Sequence, residues 1–97
     1  MADKKEYEIA FLLKNEEGRE TILRAIKWLE GAEVTFESPI AKINLAYKIK
    51  KEASAYFGYL FFTLLPQDVK ALEDALRMQD SVLRLLIITP PFQKTKT

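Results

Sequence analysis

A chain of 97 residues is the size of one domain, and its 48% hydrophobic content predicts a packed core rather than a disordered chain. The absence of cysteine and histidine excludes disulfides, thiolate metal sites and the commonest general base at neutral pH. The net charge is only +1, so any preference for an anionic partner must come from where the charges lie.

No apolar run approaches the roughly 20 residues that a membrane helix requires. The N-terminal residues are mostly charged and lack the apolar stretch of a signal peptide. We therefore expect a cytoplasmic protein with no membrane partner. The predicted organisation is a single domain over residues 1–91, followed by a basic, flexible tail over residues 92–97.

The first predicted elements are a strand and a helix. Residues 7–13 alternate in the manner of a strand, with one apolar face made by Ile9, Phe11 and Leu13. Asn15 is a good N-cap for a helix over residues 16–30, and Gly31 provides its C-terminal stop. The helix has an apolar stripe at i, i+3, i+4 and i+7, which comprises Ile22, Ala25, Ile26 and Leu29.

An extended region follows from Glu33 to about Lys51, interrupted near Pro39. Its second half contains a stretch from Lys42 to Lys51 without any acidic residue. Because side chains of a strand alternate between two faces, this stretch predicts two different sides. The predicted buried side is Ile43, Leu45, Tyr47 and Ile49, and the predicted cationic side is Lys42, Asn44, Lys48 and Lys50. The alternative for these lysines is that they only keep an edge strand soluble.

The remaining elements are a strand, a helix and a strand. A turn around residues 51–54 leads into an apolar strand over 55–64, and Pro66 opens a helix at a position where proline is tolerated. The buried stripe of this helix is predicted to be Val69, Leu72 and Leu76, with a smaller contribution from Ala75. A turn over 79–81 precedes the last strand, residues 82–88, which Pro90 and Pro91 end.

The element order is that of the split β-α-β, an α+β ferredoxin-like fold. It packs two helices on one face of a four-stranded antiparallel sheet and leaves the other face open. An open face this apolar indicates a surface for a protein partner. We assign to it Phe57, Tyr59, Phe61, Leu86 and Ile88. The alternative is that the C-terminal tail or the second strand folds across this face.

No catalytic arrangement is evident. The glutamates at positions 16, 17 and 20 cluster where a helix start favours anions, and the serines have no base near them in the sequence. The glycines form no phosphate-binding loop. We expect no enzyme activity, no cofactor, no metal site and no small-molecule substrate.

Two patterns relate to RNA. Residues 55–62 match the signature of an RNA-recognition motif loosely, but Ala55 and Tyr56 replace its basic residue and its glycine. The second pattern is more specific. Residues 45–51, LAYKIKK, resemble the LAYPIKK segment of the bacterial small-subunit ribosomal protein six family. Four other segments also resemble the family and occur in its order along the chain, at residues 7–9, 55–57, 66–69 and 79–84.

This resemblance implies a structural component of the small ribosomal subunit, located on the cytoplasmic ribosome. It would bind the central domain of 16S rRNA together with small-subunit protein eighteen. The residues that we assign to RNA are Lys42, Asn44, Lys48, Lys50, Lys51 and Arg84. The family's Trp-Gly-Lys-Arg-like run is replaced here by residues 40–44, IAKIN, and its proline by Lys48.

Two further alternatives remain open. Arg84 would either contact RNA or pair with an acid of the first strand such as Glu8. The whole domain would either bind RNA or oligomerise through its open face as a protein–protein module. A small-molecule sensor of the same fold is disfavoured because no glycine-bearing ligand turn is present.

Overall fold

The computed structural model describes residues 4–29 and 31–89. Its helices and strands, in chain order, are β1 (Lys5–Leu13), α1 (Gly18–Trp28), β2 (Glu33–Glu37), β3 (Ala41–Ile49), β4 (Glu52–Leu64), α2 (Val69–Arg77) and β5 (Val82–Ile88). A short 3₁₀ turn, Pro66–Asp68, leads into α2 as the proline predicted. The proposed stop at residues 90–91 and the proposed tail over 92–97 lie outside the described residues.

The sheet confirms the ferredoxin-like fold. Its strand order is β2-β4-β1-β5, and β3 pairs with β4 as well. Every described pairing is antiparallel. The predicted second strand is therefore two strands, β2 and β3, which lie one after the other along the same edge of the long strand β4.

The core lies between the sheet and the two helices. The alternate residues of β1 from Tyr7 to Leu13 are buried, and β4 places Leu60, Phe62 and Leu64 beside them. The helices contribute their apolar stripes, represented by Ile22, Ile26, Leu72 and Leu76. The predicted stripe of each helix is thus confirmed, except that Ala75 is exposed.

The ends of α1 follow from local chemistry. The backbone N–H of Gly18 donates to Asn15 Oδ1 at 3.1 Å, so Asn15 caps the turn that immediately precedes α1. Gly31 has a φ of 81°, a left-handed conformation that glycine adopts without steric cost. The helix itself is shorter than predicted, because residues 16 and 17 form a turn and Leu29 already has an extended backbone.

Ser38 holds the gap between β2 and β3 against β4. Its N–H donates to the Tyr59 carbonyl at 2.9 Å, and the Tyr59 N–H donates to Ser38 Oγ at 2.8 Å. Pro39, which follows, has no N–H to offer to a ladder. The serine hydroxyl thus satisfies a backbone donor at the point where the edge strand is broken.

The buried side predicted for β3 is wrong. No residue of β3 is buried, and Ile43 and Tyr47 are 37% and 71% exposed. The reason is the position of the strand: β3 pairs with the first residues of β4, whereas β1 reaches along β4 only as far as Tyr56. The hairpin of β3 and β4 therefore extends beyond the layer of helices that would cover it.

Candidate nucleic-acid interface

A large bulge interrupts the pairing of β3 with β4. Asn44 is opposite Ser54, but the next pair is Ile49 with Glu52, so residues 45–48 face the single residue Ala53. A bulge bends its strand and increases the local twist. Residues 45–48, the LAYK of this chain's LAYKIKK segment, form this bulge.

The bulge also changes which side chains share a face. Lys42 and Asn44 are opposite Tyr56 and Ser54, and beyond the bulge Ile49 takes the equivalent position opposite Glu52. Because three extra residues reverse a two-residue alternation, the predicted grouping of Lys42, Asn44, Lys48 and Lys50 on one face is wrong. Their side chains are all exposed, but they do not line a single side of the hairpin.

The tip of the hairpin is a two-residue turn made of lysines. Lys50 and Lys51 have φ values of 50° and 73° between the paired residues Ile49 and Glu52. Two consecutive positive φ values are those of a type I′ turn, where asparagine and glycine are the usual residues. The turn begins one residue earlier than predicted. The turn places two cations at the tip of the hairpin.

Lys50 connects the tip of the hairpin to the start of β5. Its Nζ donates to the Val82 carbonyl at 3.3 Å, so the tip lies against the start of β5. Lys50 lines a shallow depression there together with Arg77 and Arg84. Of these three, Arg77 was not predicted from the sequence, because a basic residue in the last turn of a helix is already explained by the helix dipole.

The other predicted RNA residues lie along the hairpin. Lys42 Nζ is 6.0 Å from the centroid of the Tyr56 ring, at the outer limit of a cation–π contact. Asn44 lies on the same face of the ladder, two pairs nearer the tip. Arg84 is opposite Leu12, whereas Glu8 is opposite Ile88, so the proposed Arg84–Glu8 ion pair is absent from the described residues.

The five residues predicted for a partner lie together on the sheet face opposite the helices. Tyr59, Ala10 and Leu86 form one row across three strands, and the two neighbouring rows carry the other three predicted residues, Phe57, Phe61 and Ile88. Phe36 of β2 adds an aromatic ring, 5.6 Å from Phe61 and 5.9 Å from Tyr59 between centroids. Leu86 is 59% exposed, which is uncommon for leucine in the interior of a strand.

This face differs from that of an RNA-recognition motif. In such a motif, aromatic side chains from two adjacent central strands stack on bases. Here β4 supplies aromatic rings, but β1 presents Glu8, Ala10 and Leu12 on the same face and directs Tyr7 and Phe11 into the core. The neighbouring strand therefore offers no ring for a second base.

The described residues contain no group of acidic side chains placed to hold a metal ion. Among the same residues, no helix is both long and apolar enough to cross a membrane.

The strand order and the two helices on one face of the sheet define an α+β protein of the ferredoxin-like class. It exposes a cationic hairpin and an apolar sheet face. The comparison with known families narrows this class. The sequence model of ribosomal protein S6 matches residues 6–89, and the chain belongs to that family of the bacterial small ribosomal subunit. Family membership confirms the expected location on the cytoplasmic ribosome.

Individual relatives agree with this assignment. The chain is 35% identical over 88 residues to small ribosomal subunit protein bS6 of Caldanaerobacter subterraneus subsp. tengcongensis, covering 84% of this chain and 93% of the relative. It is 31% identical over 90 residues to the bS6 protein of Carboxydothermus hydrogenoformans, covering 87% and 94%. The crystal structure of 30S ribosomal protein S6 from Thermotoga maritima superposes with a TM-score of 0.79 at 20% identity, over 97% of this chain and 94% of that one. At that identity the superposition supports the fold alone.

Proposed function

We propose that this protein is a structural constituent of the small ribosomal subunit that binds the central domain of 16S rRNA jointly with small-subunit protein eighteen. Family membership supports the subunit. The observation that carries the RNA part is the cationic hairpin, because its lysines project beyond the packed layers of the domain. The role is one of binding and assembly, without a chemical step.

The lysines suit contacts with the RNA backbone. A basic side chain that neutralises a phosphate releases a counterion, and such contacts position a protein without reading sequence. Lys42, Lys48, Lys50 and Lys51 are all exposed, and the bulge keeps them from sharing one face of the hairpin. This arrangement fits insertion between two segments of folded RNA better than placement on one flat surface. Asn44 has the hydrogen-bonding groups to contact either a base or the backbone.

The apolar face suits a protein partner. Its leucine and isoleucine side chains gain free energy when they leave water, and RNA offers them little beyond base stacking. The face is interrupted by Glu8 in the row with Phe61 and bordered by Arg84 in the row with Phe57. We therefore expect protein eighteen to cover the centre of this face and to leave the hairpin to the RNA.

Salt dependence tests the RNA proposal. Binding of a central-domain RNA junction, with protein eighteen present, is expected to weaken steeply with rising salt. Replacing Lys42, Lys48 and Lys50 by alanine should flatten the slope of log affinity against log salt by at most about three units. The matched control replaces Lys5, Lys27 and Lys70, which are exposed elsewhere, and changes the net charge equally. RNA affinity that is indifferent to salt and to the hairpin changes would refute the proposal.

The exposed Leu86 and Phe36 support a second candidate, in which the apolar face joins copies of this chain. Sedimentation of the isolated protein separates the two candidates. A monomer that forms a one-to-one complex with protein eighteen supports the assembly role. A stable oligomer that persists without RNA and resists protein eighteen supports self-association.

A further inference from the structure

Three cations from three separate elements line the depression beside the hairpin tip. Lys50 comes from the turn between β3 and β4, Arg77 from the last turn of α2, and Arg84 from β5. The rest of the lining is Val82, Leu83 and Leu85. We call this the junction site. It lies where β5 forms the free edge of the described sheet.

The backbone of the turn that positions Lys50 in the junction site is strained. A turn with two residues at positive φ is occupied by lysines, although glycine and asparagine adopt this conformation more readily. The bulge at residues 45–48 bends the hairpin, and the bond from Lys50 Nζ to the Val82 carbonyl holds the tip at β5. Backbone strain kept in place by surrounding contacts is a feature that binding sites share.

The charges of the junction site are only partly compensated. Arg77 bonds to Glu73 through a single nitrogen, Nη2, which leaves most of its donors for another acceptor. Arg84 and Lys50 enter none of the ion pairs formed among the described residues. No carboxylate lines the depression. Guanidinium and ammonium groups only donate hydrogen bonds, so the ligand that fits must accept several and be negatively charged.

We propose that the junction site binds one phosphate group of the RNA backbone, with Lys50, Arg77 and Arg84 acting as a unit. The inference rests on the proposed RNA-binding function and adds Arg77 and a defined chemical partner to it. Each guanidinium presents a planar fork to the phosphate oxygens, and Lys50 exchanges the Val82 carbonyl for a third. The tip, the end of α2 and the edge of β5 would then be fixed to the RNA at one point.

The test compares Arg77→Gln with Arg24→Gln in the complex with protein eighteen and central-domain RNA. Arg24 is exposed on α1 and lies outside the junction site, so both variants lose one charge. We expect R77Q to weaken RNA binding about tenfold and to lower the salt slope by about one unit. We expect R24Q to change both much less. Urea unfolding of the free variants checks that each remains folded.

The double variant R77Q/R84Q tests whether the two arginines share a ligand. Groups that hold one phosphate are coupled, so the loss in the double variant should be smaller than the product of the single losses. Independent losses that multiply would overturn the shared site. Equal affinities for R77Q and R24Q would overturn it as well, while strong RNA binding by the unchanged protein would leave the proposed function standing.

A free phosphate ion is the other source of the same chemistry. Titration of inorganic phosphate, followed by NMR shifts of the amides over residues 82–85, distinguishes it. Shift changes that appear only at millimolar phosphate, and that R77Q abolishes, agree with a site completed by RNA. Tight binding of the free ion, with RNA affinity unaffected by R77Q, would overturn the inference in favour of an ion site.

Discussion

The two halves of β4 show how differently one strand behaves in two surroundings. In its second half, between β1 and β2, Leu60, Phe62 and Leu64 are fully buried under the helices. In its first half it pairs with β3, and no residue of β3 is buried at all. The second half is apolar at nearly every position, whereas β3 alternates apolar with polar side chains. Alternation therefore indicates a strand, but burial depends on whether another layer covers it.

The difference separates the part of the molecule that forms the fold from the part proposed to bind. In the packed region, the Tyr59 N–H donates to the Ser38 hydroxyl at the point where the edge strand is broken. The hairpin instead carries a bulge, a strained turn and uncompensated lysines. The bulge and the strained turn cost stability, and the exposed lysines provide the positive charge that contacts with RNA phosphates require.

The strongest test of this separation replaces two aromatic residues of β4. Phe62 is 0% exposed and Phe57 is 38% exposed on the opposite face. Phe62→Ala should lower the free energy of unfolding by about 3–5 kcal/mol, since it removes a buried ring and leaves a cavity. Phe57→Ala should cost only about 1 kcal/mol because its ring is already partly in water. Urea unfolding measures both changes.

The effects of the two variants on the binding of protein eighteen should have the opposite order, with the larger loss in Phe57→Ala. Phe57→Ala removes a side chain of the apolar face and should weaken the complex with protein eighteen. A loss of stability in F57A as large as that in F62A would mean that the apolar face is part of the core, and the comparison between the two regions would fail.

The next test concerns the boundary between the two regions, at Gly58. A Cβ added there would lie 2.8 Å from Ile40 Cδ1 and 2.9 Å from Phe11 Cε1. Gly58→Ala should therefore destabilise the fold by about 1–3 kcal/mol through overpacking. Ile40→Val, which removes Cδ1, should recover part of this cost in the double variant. Thermal or urea unfolding of the four proteins gives the coupling, and a purely additive result would contradict the contact with Ile40.

Much of the packed region could be predicted from the sequence. The strand at residues 82–88 has the bounds predicted for it, and Asn15, Gly31 and Pro66 act at the ends of elements as their chemistry requires. The apolar face of β1 was predicted because its alternation coincides with burial beneath two helices. Local rules succeed here because local preference and tertiary packing agree.

The hairpin could not be predicted in the same way. The sequence alternates without interruption through residues 42–50, so nothing in it reveals the bulge that reverses the faces. Tyr47 was assigned to the core because its neighbours have the spacing of a buried side, yet no described layer covers it. Arg77 could not be predicted because Lys50 and Arg84, which line the same depression, come near it only in the folded chain.

The smallest expected effect has the opposite sign and concerns the turn itself. Lys51 has a φ of 73°, which a residue with a Cβ adopts only at a cost. Lys51→Gly should raise the free energy of unfolding by about 0.5–1 kcal/mol, after allowance for the greater freedom of glycine in the unfolded chain. The matched control is Lys42→Gly, at a strand position without positive φ, which should destabilise the protein instead.

The effect of Lys51→Gly on RNA binding should be compared with its effect on stability. If the lysine at position 51 is retained for its charge, K51G should be more stable than the unchanged protein and should bind RNA more weakly, with a salt slope lower by about one unit. Stability and binding would then change in opposite directions at a single residue. A K51G variant that is more stable and binds RNA with unchanged affinity and salt slope would show that the strained turn serves no RNA contact, and the hairpin's function would have to rest on its other lysines.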